Sequence, residues 1–121
     1  MPRLFRAQPR RSGDRVKRVG AGDYDRRWNR FSRRYRQLHP FCEMCRERDR
    51  LVFAVLVDHK YPVADGGAMF PGEAGVWSLC QNCHSSVKAQ LENHARNTGQ
   101  LHRIVEWCDR PETRPRFRGE V

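Results

Sequence analysis

Three stretches of this chain decide its fold: FCEMC at residues 41–45, VDHKYPVADGG at residues 57–67 and WSLCQNCHSSVK at residues 77–88. They contain two Cys-x-x-Cys pairs, Cys42/Cys45 and Cys80/Cys83, on either side of the dipeptide Asp58-His59. Zinc binds four thiolates tetrahedrally, and each Cys-x-x-Cys turn directs two sulfurs at one ion. We therefore predict one structural zinc held by the four cysteines. Four free thiols or two disulfides are the alternatives.

The composition indicates one small domain that binds a polyanion. The chain has 121 residues, of which 38% are hydrophobic and 31% charged, so its core is small and needs a staple such as a metal. Residues 1–40 hold 13 of the 24 Lys and Arg residues but 3 of the 14 Asp and Glu residues. The net charge of +10 therefore lies at the front of the chain. We predict that this basic arm contacts nucleic-acid phosphates; a solvated tail without a partner is the alternative.

The cysteine pattern and the chain start together indicate a reducing compartment. The N-terminus MPRLFRAQPRRSGDR has no apolar stretch of the kind found in secretion signals, and no apolar run has transmembrane length. Four of the five cysteines lie in tight pairs, which favours metal binding in the cytoplasm over disulfides. Cys108 stands apart and is predicted to be a free thiol. We expect no membrane contact.

The chain is predicted to divide into a flexible basic arm at residues 1–24, a zinc domain at 25–108 and a loose tail at 109–121. A helix is expected to begin with Asp25 as N-cap and to stop at Pro40. Its core face is the stripe Trp28, Phe31, Tyr35 and Leu38, which has helical spacing. The opposite face carries the candidate DNA-binding residues Arg27, Arg30, Arg33 and Arg34.

The remaining elements give an α+β fold. The apolar, β-branched residues 51–57 predict a strand that leads into Asp58-His59. A short second strand is expected within residues 63–76. A helix that starts at Ser78 or Leu79 should run to residues 97–99, and a short helix should follow at 101–107.

The combined pattern resembles the HNH endonuclease family, in particular the zinc-containing branch common in phages. The residues that carry the resemblance are the first Cys-x-x-Cys, the strand ending in Asp58-His59, the Gly66-Gly67 turn and the motif S-L-C-x-x-C-H-x-x-x-K at residues 78–88. The resemblance implies a ββα-metal fold preceded by an amphipathic helix, in a bacterial or phage-infected host cell. It also implies DNA as substrate and, through phage relatives, a DNA-packaging terminase as partner.

The resemblance also implies roles for individual residues. His59 matches the family's general base, while Asp58 and His84 match the two protein ligands of a catalytic divalent ion. Mg²⁺ and Mn²⁺ are the expected ions, and imidazole also admits Ni²⁺ or Zn²⁺. Because neighbours on a strand point to opposite sides, we expect a bend or bulge that brings Asp58 and His59 to one site. Lys88, one helical turn after His84, is a candidate phosphate contact; an exposed lysine without this role is the alternative.

One position departs from the family pattern. The family's middle asparagine, which helps to orient the base histidine, falls at Gly75. Three outcomes are open: a backbone carbonyl near Gly75 orients His59, Glu73 or Asp65 reaches in from the loop, or the site is slow or dead. Two functions are therefore predicted, a metal-dependent endonuclease of low sequence specificity and, as the alternative, a zinc-stabilised module that binds nucleic acid without cutting it.

Overall fold

The computed structural model describes residues 21–117, so residues 1–20 of the predicted arm (1–24) lie outside the described part of the chain. The chain divides into two compact units, Met1–Phe31 and Ser32–Val121. Helix α1 (Ala21–Leu38) contributes residues to both units. Among residues 21–117, no helix combines the length and apolar character needed to cross a membrane.

The described part of the first unit is the N-terminal portion of α1. Trp28 and Phe31 are half-buried, and their ring centroids lie 5.4 Å apart. Asp25 lies inside the helix, so its predicted role as N-cap is wrong. The helix begins at Ala21, with Asp23 in its first turn, where a carboxylate is favoured by the helix dipole. Residues 21–24, predicted to belong to the arm, are therefore helical.

In the second unit, Tyr35 anchors the C-terminal portion of α1. Its ring is buried, and its hydroxyl donates a hydrogen bond to the Glu43 carboxylate at 2.8 Å. Oε2 of Glu43 also accepts the backbone N–H of Ser78 at 2.8 Å, so one carboxylate joins three segments. Leu38, predicted to belong to the same core stripe, is 63% exposed, because α1 ends there ahead of Pro40.

The fold is α+β, with one two-stranded antiparallel sheet between helical segments. Strand β1 (Leu56–His59) pairs with β2 (Val76–Leu79) in the register Leu56↔Leu79 to His59↔Val76. The observed strand β1 thus overlaps only the last two residues of the strand predicted at 51–57 and includes Asp58 and His59. Residues 51–55 are held by single contacts instead, among them the Phe41↔Phe53 bridge and the bond from Val55 N–H to the Leu79 carbonyl. The second strand begins at Val76, the last residue of its expected range, and runs beyond that range to Leu79.

The helices surround this sheet. Helix α2 (Glu43–Arg46) follows the first cysteine. A π-helical segment (Cys83–Lys88) continues directly into α3 (Ala89–Thr98), which ends at Gly99 with φ of 69°. The predicted start of this helix at Ser78 or Leu79 is wrong, because both residues belong to β2 and are buried. Helix α4 (Ile104–Asp109) confirms the predicted short helix.

Two groups of apolar residues form the core. The first contains the paired cysteines together with Met44, Trp77, Leu79 and Cys108. The second joins α3 to α4 through Leu91, Ala95, Ile104 and Trp107. The metal-binding part of the sequence is therefore also the centre of one core, as expected for a domain too small to fold on apolar burial alone.

The segment after α4 packs on the domain, so the prediction of a loose tail from residue 109 is wrong up to residue 117. Arg114 forms two hydrogen bonds with the Glu47 carboxylate, at 2.8 and 2.9 Å, and its guanidinium donates to the carbonyls of Trp107 and Cys108. A planar guanidinium with five donors can satisfy several acceptors at once. The sequence does not distinguish Arg114 from the other arginines of this stretch, so the contact could not be predicted.

Candidate metal sites

The four paired cysteines form one cluster, referred to below as the cysteine cluster (Cys42, Cys45, Cys80 and Cys83). Their sulfurs all lie within 4.8 Å of one another. The Cys45 sulfur lies 3.8 Å from that of Cys80 and 3.7 Å from that of Cys83. A tetrahedral ion with Zn–S bonds of about 2.3 Å sets its sulfurs about 3.8 Å apart. The cluster therefore fits a structural metal such as zinc, and all five cysteines are free of disulfides.

Local backbone structure brings each pair of sulfurs together. Cys42 is the N-cap of α2, and its sulfur accepts the backbone N–H of Cys45 at 3.3 Å. Burial, followed by the hydrogen bond to Cys42, raises the pKa of Cys45 to about 11. Burial likewise raises the pKa of Cys83. Closely spaced thiolates in a buried site repel one another, and a bound cation offsets that repulsion.

Asp58 and His84 face each other from different elements and are referred to below as the Asp58–His84 pair. Asp58 lies in β1 and is buried; His84 lies in the π-helical segment, directly after Cys83, with its side chain 42% exposed. The distance from Asp58 Oδ1 to His84 Nε2 is 3.5 Å. Nε2 of His84 is therefore the nitrogen that faces the carboxylate. The other ring nitrogen, Nδ1, is buried without a hydrogen-bond partner among residues 21–117.

His59 is oriented by a backbone carbonyl. Its Nε2 lies 2.9 Å from the carbonyl oxygen of Met69, in the loop between the two strands. Because a carbonyl only accepts, this contact assigns the proton to Nε2 and makes Nδ1 the basic nitrogen. Strand β1 keeps its regular register through His59↔Val76, so it has no bulge at Asp58-His59, and the chain bends directly after the strand at Lys60 and Tyr61. Alternation along the strand directs the Asp58 and His59 side chains to opposite sides.

The loop around Gly75 bears on the first of the three outcomes, a backbone carbonyl that orients His59. The Gly75 carbonyl accepts the backbone N–H of Lys60, so the carbonyl that contacts His59 is that of Met69 instead. A Cβ atom at residue 75 would lie 2.5 Å from Pro71 Cβ. No larger residue fits there unless the loop shifts, which explains the glycine.

Asp65, one of the two acidic candidates for the missing role, is paired elsewhere. Asp65 pairs with Arg96, whose guanidinium donates to it at 2.9 and 3.1 Å, and this hydrogen bonding lowers the pKa of Asp65. Glu73 lies in the 3-10 turn Glu73–Gly75, and its charge is the smallest of the causes that raise the pKa of Tyr35, after burial and the contact with Glu43.

Lys88 is not a surface residue, which corrects its prediction as a phosphate contact. Its side chain is 1% exposed, and its ammonium donates to Asp58 Oδ2 at 2.8 Å, to Glu92 Oε2 at 2.7 Å and to the His59 carbonyl at 2.9 Å. These three acceptors match the three donors of a lysine. The arginines predicted to bind DNA are exposed, as the prediction requires: Arg27, Arg30, Arg33 and Arg34.

Sequence reasoning missed three groups around the site: the Trp77 indole, which donates to Asp58 Oδ2 at 3.0 Å, the Glu92 carboxylate and the Met69 carbonyl. The Lys88–Glu92 spacing of four residues is a helical ion-pair signal that the sequence does contain. The burial of this ion pair cannot be predicted from the neighbouring sequence, because it depends on the packing of β1 against the helix.

Comparison of the chain with protein-family models, with curated proteins and with solved structures finds no match in any of the three. The resemblance to a nuclease family thus depends on the motif residues alone.

Proposed function

We propose that the chain is a metal-dependent endonuclease of the HNH type, which hydrolyses phosphodiester bonds in double-stranded DNA with little sequence preference. The observation that carries the proposal is the Asp58–His84 pair. A carboxylate oxygen and an imidazole nitrogen 3.5 Å apart can both reach one divalent ion at bonds of about 2.1 Å. When bound, such an ion would stabilise negative charge that develops on the phosphate.

Three further features support the assignment. His59 leaves β1 on the side opposite to Asp58, so the proposal requires the phosphate to lie across the end of the strand, between the base and the ion; the Met69 carbonyl fixes the tautomer of His59. A base so oriented would take a proton from the attacking water through Nδ1, a contribution of about 10²- to 10⁴-fold in rate. The cysteine cluster ends at Cys83, so a zinc bound there would fix the helix turn that carries His84. The ββα-metal arrangement of the family consists of these same parts.

The charge distribution supports DNA as the partner. The chain has a net charge of +10, and five exposed arginines lie on α1, among them the candidates Arg27, Arg30, Arg33 and Arg34. Arginines that neutralise phosphates release counterions, which gives strong but sequence-independent affinity. A terminase partner and a cytoplasmic location remain part of the proposal through the phage relatives that the motif resembles.

The alternative function is a zinc-stabilised module that binds DNA without cutting it. Two observations favour it: Gly75 cannot supply the family's asparagine, and the Lys88 ammonium already lies 2.8 Å from Asp58. A built-in cation next to the carboxylate would weaken its attraction for a divalent ion.

A plasmid-nicking assay separates the two functions. Zinc-loaded protein is incubated with supercoiled plasmid and Mg²⁺ or Mn²⁺, and a control contains EDTA instead. The zinc content is measured in each sample, because EDTA also strips structural zinc. The endonuclease should nick the plasmid, and both His59→Ala and Asp58→Asn should abolish nicking. His102→Ala is the matched control, since His102 is an exposed histidine on another element.

Two outcomes of this assay bear on the proposal beyond the loss of activity. Nicks that DNA ligase can seal would support the 5′-phosphate and 3′-hydroxyl ends that the family resemblance implies. A plasmid that stays supercoiled with every ion, while the protein still binds it, would overturn the nuclease and favour the binding module.

A further inference from the structure

Lys88 is a buried cation in contact with the proposed catalytic site. Burial, the largest single influence, would lower the pKa of Lys88, but the negative charges and hydrogen bonds around its ammonium, Asp58 first among them, together raise the pKa. An isolated ammonium in a protein interior is strongly unfavourable, so this lysine is stable only together with the two carboxylates that it contacts. An apolar residue would fill the same space without that requirement. A specific task near Asp58 would account for the charge.

The contacts of Asp58 indicate what that task is. Its Oδ2 accepts two hydrogen bonds, from Lys88 Nζ at 2.8 Å and from Trp77 Nε1 at 3.0 Å. Its Oδ1 faces His84 Nε2. Two donors on one oxygen prevent the carboxylate from turning about its last torsion, so the other oxygen keeps one direction.

The π-helical segment places two of the three partners of Asp58 on the same turn of helix. His84 and Lys88 lie four residues apart within Cys83–Lys88, and they reach opposite oxygens of the one carboxylate. Glu92, four residues further on, contacts the same ammonium. With two carboxylates and one ammonium, the group carries a net charge of −1, which still attracts a cation.

We propose that Lys88 and Trp77 are positioning residues: they hold Asp58 Oδ2 so that Oδ1 remains available, together with His84, to a divalent cation. Glu92 balances the charge of Lys88 so that the carboxylate keeps its affinity. This inference rests on the cation site of the proposed function but not on DNA cleavage. Partners that orient ligands of this kind typically contribute about 10- to 100-fold to metal affinity.

The test is Mn²⁺ binding to zinc-loaded protein, followed by the electron paramagnetic resonance signal of free Mn²⁺. Asp58→Asn defines the binding that belongs to this site. Lys88→Met, which keeps the length and removes the charge, should weaken that binding by about 10- to 100-fold while zinc content and circular dichroism stay unchanged. Trp77→Phe removes the other donor to Oδ2 and should weaken it by a smaller factor. If Lys88→Met does not fold, the Mn²⁺ affinity of Trp77→Phe is the measurement that tests the inference.

Lys60→Met is the matched control for a merely structural effect. Lys60 is also largely buried, and its ammonium bonds Asp109 and the Ala74 carbonyl rather than Asp58. Its loss should lower the melting temperature without changing Mn²⁺ affinity.

Several results would overturn the inference. Unchanged Mn²⁺ affinity in Lys88→Met would make Lys88 structural, and tighter binding would show that its ammonium takes the place of the ion. Wild-type protein without Asp58-dependent Mn²⁺ binding would also overturn it. In contrast, Asp58-dependent binding without plasmid nicking would remove the proposed nuclease and leave the positioning role intact.

Discussion

The cysteine cluster and the Asp58–His84 pair meet at one peptide bond, between Cys83 and His84, yet they differ in almost every physical respect. The cysteine cluster has four identical soft ligands, with three of its residues classed as buried and inside a core. The Asp58–His84 pair has two hard or borderline ligands, one of them 42% exposed. Structural sites are closed and saturated, whereas catalytic sites keep open positions. The comparison teaches that one short segment can carry a closed, buried ligand set on one side and an open, partly exposed pair on the other, which the proposed function would use for chemistry.

The largest effect should follow a change in the cysteine cluster. Cys42→Ser removes one thiolate, and because structural zinc contributes on the order of 10–16 kcal/mol to folding, the domain should be unfolded. Circular dichroism and zinc content by mass spectrometry measure this. Cys108→Ala is the control, because Cys108 lies in the same core but outside the cluster, and should retain zinc. A folded, zinc-free Cys42→Ser protein would break the comparison.

The neighbouring substitution His84→Ala should have a different effect. Because His84 contributes no sulfur and is partly exposed, the variant should fold and keep one equivalent of zinc. It should lose Mn²⁺ binding and reduce plasmid nicking by at least about 100-fold, as expected when a ligand of the ion is removed. If His84→Ala instead released the zinc, the two sites would not be separate.

A smaller effect is expected from the arginines of α1. Replacement of Arg27, Arg30, Arg33 and Arg34 by alanine should weaken DNA binding at low salt and leave zinc content unchanged. Removal of each arginine that neutralises a phosphate should reduce the slope of log K against log salt by about 0.9. Fluorescence anisotropy at several salt concentrations measures the slope. A slope equal to that of the wild type would show that DNA, if bound, contacts another surface.

The smallest effect concerns Cys108. Burial raises the pKa of Cys108 to about 12, so almost no thiolate is present at pH 8 and reagents cannot reach the sulfur. Iodoacetamide should leave it unmodified in the folded zinc form, whereas denaturation with a chelator should expose all five cysteines. Rapid labelling of native Cys108, located by peptide mass spectrometry, would contradict its place in the core.

The sequence predicts best the features that are local or fixed by chemistry. Cys-x-x-Cys spacing determines where two sulfurs point, so the cysteine cluster follows directly from it. The Asp58–His84 pair is predicted through the family pattern. Residues 76–79 are predicted as loop and helix, because they lack the apolar–polar alternation that identifies a half-buried strand. All four are buried, and they form a strand through their pairing with β1.

The features that sequence analysis misses depend on long-range packing. Lys88 has the sequence context of a surface lysine, since nothing near it in the sequence shows that β1 covers it. Arg114 is one basic residue in a Pro- and Arg-rich stretch, and its partner Glu47 lies 67 residues away. Such contacts form only once the core has placed both segments.

The π-helical segment constrains the length of this protein as well as its composition. A π-helical turn contains about one residue more than an α-helical turn, and each residue of an α-helix turns the chain by about 100°. Deletion of Ser86 with relaxation of the segment to an ordinary helix would leave Leu91 and Ala95 on the face that packs on α4, whereas a second deletion would rotate them away by about 100°. Natural variants should therefore lack at most one of the exposed residues Ser85 and Ser86, and only together with the π turn.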